Sequence, residues 1–246
     1  MKKYISLFII ILIVSACKKK EKDPVTVPVY FTSTTYETLG TYNASGVPDY
    51  LLTPDVISSD MQSFINSILV EKSDLRNTHP ELLSTTAIAD IAITQSSDVF
   101  VTFVSQVTAN SPNAIAFYTY STATPPASPN DIKKIVYFFP SAGSGTKLKT
   151  GDKVKIGRFA PGTSIGFVLL KSAWDATTGT LDSNVVHFCS NDVLNPEVDP
   201  SLKKHAVLIN YAAENKTLIG FENTDRSSTK CDHDFNDIVI YATVTP

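Results

Sequence analysis

The sequence predicts a mainly β protein: an antiparallel β-sandwich of jelly-roll type with one short N-terminal helix. About ten short runs of β-branched and aromatic residues follow one another from residue 88 to residue 243, and Ser, Asn, Gly and Pro separate them. This is the pattern of strands and turns in an all-β domain. The sequence lacks the regular alternation of strand and helix patterns that a parallel α/β fold requires.

The predicted strands differ in how much of each is apolar. Residues 99–104, Val-Phe-Val-Thr-Phe-Val, are largely apolar on both faces, which indicates a central strand covered on both sides. Residues 122–130 contain three prolines and are predicted to form a loop, because proline cannot donate to a strand ladder. The predicted strands are residues 27–32, 88–94, 99–108, 114–120, 132–139, 153–159, 164–171, 185–188, 205–211, 217–221 and 238–243.

One helix is predicted over residues 60–71. Met61, Phe64, Ile65, Ile68 and Leu69 recur at helical spacing. Serines at positions 58 and 59 can cap the first turn. The apolar stripe is expected to pack on a sheet.

The N-terminus is predicted to be a lipoprotein signal peptide, residues 1–16. Lys2 and Lys3 precede an apolar run at residues 5–14, and Val-Ser-Ala leads directly to Cys17. The run is shorter than the ~20 residues that span a bilayer. The segment resembles a bacterial lipoprotein leader. This resemblance implies that Cys17 is lipidated, with palmitate among its acyl chains, and anchors the protein in a bacterial outer membrane, facing the periplasm or the cell exterior. A plain secretory leader is the alternative.

Three segments are therefore predicted: the signal peptide, a lipidated tether with a first strand region at residues 17–57, and a β-sandwich domain at residues 58–246. The chain of 246 residues has a formal net charge of −3. No basic cluster suited to phosphate contacts is evident, so nucleic acid is not an expected partner.

The C-terminal region concentrates acidic residues. Asp232, Asp234, Asn236 and Asp237 lie within six residues, and Glu222 lies ten residues upstream of Asp232. Crowded carboxylates repel one another unless a cation or a proton neutralises them. In an extended segment the oxygens of residues 232, 234 and 236 would share one side. Oxygen ligands suit Ca²⁺, so these five residues are predicted to hold a structural calcium ion.

The spacing departs from an EF-hand, because Asp237 occupies the position that requires glycine and Thr243 the position of the bidentate glutamate. Glu222 is expected to supply the missing carboxylate if residues 217–221 and 238–243 pair as strands. Glu197 and His233 are further candidate ligands. A solvated acidic turn and a catalytic carboxylate pair remain alternatives.

Two cysteines follow the leader. Cys189 and Cys231 could form a disulfide in an oxidising compartment. Two separate buried thiols are the alternative.

The sequence resembles a known family at these same residues. Gly-Phe-Glu-Asn at 220–223 and Asp-His-Asp-Phe-Asn-Asp at 232–237, followed by Ile-Val-Ile-Tyr, are similar to the closing signature of the LruC-type domain of unknown function, numbered forty-one fourteen, of bacterial surface lipoproteins. The likeness extends over most of residues 59–246. It implies a secreted, β-rich, calcium-binding module and supplies no reaction.

Two further motifs are candidates for function. Gly162 to Gly166 matches the G-x-S-x-G string of serine hydrolases, with Ser164 as nucleophile. That motif requires a strand turning into a helix, whereas a strand is predicted to follow here. Trp174 is a candidate sugar-stacking platform or, alternatively, an aromatic that closes the core.

The function predicted from the sequence is a binding or adhesion module for a glycan or an envelope protein, without enzymatic activity. The alternatives are a polysaccharide hydrolase using Glu222 and Asp234, and a structural component of envelope assembly.

Overall fold

A computed structural model describes residues 31–246. The predicted signal peptide, Cys17 and most of the strand predicted at residues 27–32 lie outside the described residues. Phe31 and Thr32 are described and do not belong to a strand. Within residues 31–246, no helix combines the length and apolar composition needed to cross a membrane.

The described chain is mainly β, as predicted. Its strands, in chain order, are β1 (Thr35–Thr38), β2 (Ile91–Ala92), β3 (Ser97–Gln106), β4 (Ala114–Ser121), β5 (Lys134–Phe139), β6 (Lys153–Phe159), β7 (Thr163–Leu170), β8 (Trp174–Asp175), β9 (Thr180–Leu181), β10 (His187–Cys189), β11 (Ala206–Tyr211), β12 (Lys216–Phe221) and β13 (Ile238–Thr245).

Two sheets form the sandwich. The first has the order β1-β5-β4-β7-β10, with β2 also paired to β7, and the second has the order β11-β12-β13-β3-β6. All pairs in these sheets are antiparallel except β1 with β5. Strands β8 and β9 form a small separate hairpin. The predicted antiparallel sandwich is confirmed.

The main core lies between the two sheets, and side chains reach it by strand alternation. Strand β13 sends Ile238 and Ile240 into this core. Its alternate residues Val239 and Tyr241 instead join a second cluster on the outer face of the same sheet. Both faces of β13 are buried, so this strand fixes the position of the loop that ends at Asp237.

Helix α1 (Ser59–Ile68) covers the outer face of the second sheet. Met61, Ile65 and Leu69 are buried there among residues of β11, β12 and β13. The side chain of Ser58 caps the helix by accepting a hydrogen bond from the Met61 backbone N–H at 3.1 Å. The helix is shorter than the predicted range of 60–71, because the backbone leaves helical geometry at Leu69.

A second short helix, α2 (Leu75–Thr78), follows and was not predicted. Asp74 caps it by accepting from the Arg76 backbone N–H. A helix of four residues is too short for apolar periodicity to show in a sequence. Its buried residue, Leu75, belongs to the same outer cluster as α1.

The G-x-S-x-G string lies in strand β7 rather than at a strand-to-helix turn. Ser164 is buried and lies 2.8 Å from the hydroxyl of Thr122. Gly166 lets Tyr118 lie against the strand, since a Cβ there would be 2.1 Å from the tyrosine ring. Gly166 therefore serves sheet packing, and Gly162 serves the turn before β7, where its φ is 83°.

Trp174, in β8, is a buried aromatic side chain. It is only 4% exposed and lies edge-on to Tyr42, with ring centroids 5.7 Å apart. A sugar-stacking platform needs an accessible ring face, so that interpretation of Trp174 is wrong.

Candidate metal centre in the C-terminal acidic loop

The acidic loop connects two neighbouring strands. Strands β12 and β13 pair antiparallel, and Phe221 lies opposite Ile238. Glu222 directly follows Phe221, and Asp237 directly precedes Ile238. The strand pairing predicted from the sequence is therefore confirmed, and it brings the two ends of the loop together.

The loop before β13 is not extended. His233 and Phe235 adopt left-handed backbone conformations, with φ of 59° and 56°, which non-glycine residues rarely adopt. The expectation that strand alternation aligns residues 232, 234 and 236 was therefore wrong. Tertiary contacts hold the conformation: the carbonyl of His233 accepts a hydrogen bond from the Leu75 N–H at 3.0 Å, and Phe235 is completely buried. Strain maintained in this way is typical of functional sites.

Three carboxylates converge at this loop. One oxygen from each of Glu71, Asp232 and Asp234 lies within 4.8 Å of the other two. Glu71 comes from the turn after α1 and was not predicted as a ligand. The backbone N–H of Lys72 donates to Asp234 Oδ2 at 2.7 Å, which ties that turn to the loop.

Asn236 adds a neutral oxygen beside this cluster. Its backbone N–H donates to Asp234 Oδ1 at 3.3 Å, and its side chain is 7% exposed. Asn236 Oδ1 has no hydrogen-bond partner among the described residues. Asn236 and Glu71 line the same groove, which has a volume of about 370 Å³. A buried acceptor without a donor is costly, and a cation would satisfy it.

The electrostatics of the cluster favour a cation. Burial raises the pKa of Asp234 to about 6, and repulsion from Asp232 and Asp237 adds to the effect. The ammonium group of Lys72 lies 3.5 Å from Glu71, but both side chains are exposed, and such a pair contributes little. The arrangement offers three carboxylate ligands and one amide oxygen, a set that suits a hard cation.

Glu222 and Asp237 form a separate buried pair. Glu222 Oε1 accepts from the Thr224 N–H at 2.9 Å, and Asp237 Oδ2 accepts from the Asn223 N–H at 2.7 Å. Burial, together with the charge of Asp237, raises the pKa of Glu222 to about 9, and burial also raises the pKa of Asp237. Glu222 Oε2 has no hydrogen-bond partner among the described residues, but Glu222 does not belong to the group of three converging carboxylates.

The structure thus divides the predicted five-ligand set. Asp232, Asp234 and Asn236 stay together and gain Glu71, whereas Glu222 and Asp237 form a separate pair. The reason is the left-handed backbone of the loop, which separates side chains that are adjacent in sequence.

The Glu222 pair predicts a pH dependence of stability. Its carboxyl group has a pKa of about 9 in the folded chain against an ordinary value of 4.5. Between these pH values the unfolded chain releases a proton that the folded chain keeps, so stability falls as pH rises. In the presence of chelator we expect denaturant unfolding to show this loss, and Glu222→Gln to flatten it. Glu37→Gln, at an exposed site on β1, should retain the wild-type slope; equal slopes for all three proteins would contradict the assignment.

The two further candidate ligands have other partners. Glu197 Oε1 lies 2.6 Å from Nε2 of buried His205, whose ring stacks on Phe188. His233 Nδ1 accepts from Arg226 Nε at 3.2 Å. Burial and the positive charges of Arg76 and Arg226 lower the pKa of His233 to about 4. Neither residue lies in the carboxylate cluster.

The two cysteines are free thiols. Cys189 is completely buried on β10, in the cluster on the outer face of the first sheet. Cys231 lies in the acidic loop, with its Sγ 3.4 Å from His233 Nδ1. The disulfide considered from the sequence is not formed, because the two residues pack in different parts of the sandwich.

The fold and this loop define a class: a two-sheet β-sandwich whose last hairpin carries a cluster of carboxylates. Residues 159–245 match the model of the family described as domain of unknown function (DUF4114). The match includes the acidic loop and begins at the last residue of β6. The resemblance to this family is confirmed there, and its extension over residues 59–158 stays a prediction. No curated protein and no solved structure matches the chain.

Proposed function

We propose that the protein is a lipid-anchored module of the bacterial cell envelope whose β-sandwich is stabilised by calcium and serves in binding or adhesion. The observation that carries the metal proposal is the convergence of Glu71, Asp232 and Asp234, with oxygens within 4.8 Å of one another. Asn236 completes the protein ligands through its unpartnered oxygen.

The ligand chemistry favours calcium. All four donors are oxygens, whereas structural zinc sites use cysteine and histidine. Magnesium demands near-ideal octahedral geometry, whereas calcium accepts six to eight oxygens in looser arrangements that include water. The ligands come from two chain segments, and Glu71 and Asp232 are exposed; such a site fits the looser requirement.

The role of the ion is structural. It would bridge the turn after α1 and the loop before β13, two segments that the Lys72 to Asp234 hydrogen bond already connects. It would also neutralise the repulsion that raises the pKa of Asp234. A cation therefore stabilises the junction between the helix and the second sheet.

Burial of the carboxylates supports a binding role over catalysis. Glu222 is 1% exposed and Asp234 is 2% exposed. A glycosidase needs both carboxyl groups at the scissile bond, and neither Glu222 nor Asp234 lines the groove that Glu71 and Asn236 share.

The anchor rests on Cys17 and its leader. Metabolic labelling with an alkyne fatty acid is expected to mark the mature chain, and Cys17→Ala is expected to abolish the label and accumulate the precursor. A mature chain that begins elsewhere and carries no lipid would overturn the anchor.

The metal site is tested by direct binding. Calorimetric titration of chelator-treated protein should show one calcium ion per chain. Glu71→Gln and Asp232→Asn, both at exposed positions, should weaken binding strongly, while Glu37→Gln on β1 should bind as wild type does. Absence of calcium binding would overturn the proposal. If Glu222→Gln lost calcium binding and Glu71→Gln kept it, the ion would bind at the Glu222 pair and not at the proposed site.

A further inference from the structure

A second groove, which includes Arg226 of the acidic loop, is lined by several positively charged side chains. It has a volume of about 580 Å³ and lies between the α2 region and the segment before β11, with Arg226 of the acidic loop in its wall. Arg76 and Lys204 also line it, and Asp192 is the one carboxylate residue of its lining. The groove therefore carries an excess of positive charge.

Arg226 is the central group. Its side chain is 2% exposed, and its guanidinium carbon lies 5.2 Å from the ring centroid of Phe235. Nε donates to His233, and Nη1 donates to the carbonyl oxygens of Lys204 at 3.0 Å and Ser201 at 3.4 Å. None of these three partners is a carboxylate.

The remaining nitrogen of Arg226 is unpartnered. Nη2 is buried and donates to no group among the described residues. A buried guanidinium with a spare donor is costly unless an acceptor satisfies it. An oxyanion in the groove would supply both the acceptor and the counter-charge.

The neighbouring cations can assist. Lys204 Nζ lies 3.1 Å from Asp192 Oδ1 and 3.0 Å from Asp192 Oδ2, and the lysine side chain is 4% exposed. An ammonium group has three donors, so one is left for a ligand. Arg76 pairs with Asp74 but remains about half exposed. Arg76, Lys204 and Arg226 come from different segments, and all three line this one groove.

We propose that this groove is an oxyanion-binding site that takes the carboxylate or sulfate group of an acidic sugar. Pro80, Leu83 and Leu202 line the groove beside the cations, and they offer an apolar surface to a sugar ring. A free inorganic anion would contact only the cationic side chains and not this apolar surface. This inference rests on the proposed binding role and names the chemistry of its ligand.

The test uses calorimetry on the folded protein at low ionic strength. The probes are an oligogalacturonate, its neutral methyl ester and inorganic sulfate. We expect the acidic oligomer to bind, the ester not to bind, and sulfate to compete with the oligomer. Arg226→Gln should weaken oligomer binding about tenfold or more, the effect of losing a hydrogen bond to a charged group.

Because Arg226 is buried, Arg76→Gln provides a second variant at a partly exposed site. It should also weaken binding, and Lys134→Gln, at an exposed cation on β5, should not. Equal binding of acid and ester, binding of sulfate without the oligomer, no binding at all, or wild-type affinity in Arg76→Gln and folded Arg226→Gln would each overturn the proposal.

Titrations with calcium and with chelator separate this inference from the metal proposal. Oligomer binding in a protein that takes up no calcium would refute the calcium site alone. Calcium uptake without oligomer binding would refute the oxyanion site alone.

Discussion

Calcium is expected to raise the melting temperature of the chelator-treated protein by about 5–10 °C. A site with a dissociation constant of ~10 µM exposed to ~1 mM calcium adds about 2.7 kcal/mol to the free energy of unfolding. For a domain of this size, each kcal/mol shifts the melting temperature by roughly 2–4 °C. The effect is large because domains are stable by only about 5–15 kcal/mol in total.

Substitutions test whether the rise in melting temperature depends on the carboxylates that converge in the structure. Glu71→Gln and Asp232→Asn should melt at the same temperature with calcium and with chelator, since each removes one charged ligand. Glu37→Gln should keep the full shift. Magnesium should produce a smaller rise, because its octahedral preference fits the site less well. Equal melting temperatures in calcium, magnesium and chelator would refute the structural role of the metal.

Phe235→Ala is expected to lower the free energy of unfolding by about 3–5 kcal/mol, the range for removing a buried aromatic ring. Phe235 is completely buried in the cluster beneath α1, and its ring lies beside the guanidinium of Arg226. It also stands between Asp234 and Asn236. Loss of the ring should therefore release the loop and weaken calcium binding as well.

Urea denaturation and calcium titration measure both effects. Val198→Ala is the matched control, because Val198 is 97% exposed and its truncation should change neither quantity. A loss for Phe235→Ala as small as that of Val198→Ala would mean that the ring does not anchor the loop.

Much of the fold could be predicted because its signals are local. Residues 99–104 are apolar on both faces, and β3 does place Val99 in the inner core and Val104 in the outer cluster. Met61, Ile65 and Leu69 follow one stripe, and they do cover a sheet. The lengths were less accurate: α1 ends at Ile68, and α2 is too short to leave a periodic pattern.

The candidate site was predicted only in part. The pairing of residues 217–221 with 238–243 correctly joined the ends of the acidic loop. The left-handed backbone of His233 and Phe235 could not be predicted from the sequence. Glycine is the residue that usually indicates such a conformation, and neither position is glycine. Glu71 lies far upstream in the chain, so no spacing rule connects it to Asp232.

The sequence by itself determined the class of fold and the hairpin that carries the acidic loop, because strand alternation and apolar runs depend on neighbouring residues. Only the tertiary structure decided which side chains share a site. Docking of the turn after α1 against the loop brings Glu71 to Asp234, and burial of Phe235 and Arg226 sets the loop backbone. These are contacts between distant segments, and they separate Glu222 and Asp237 from acids that are their near neighbours in the chain.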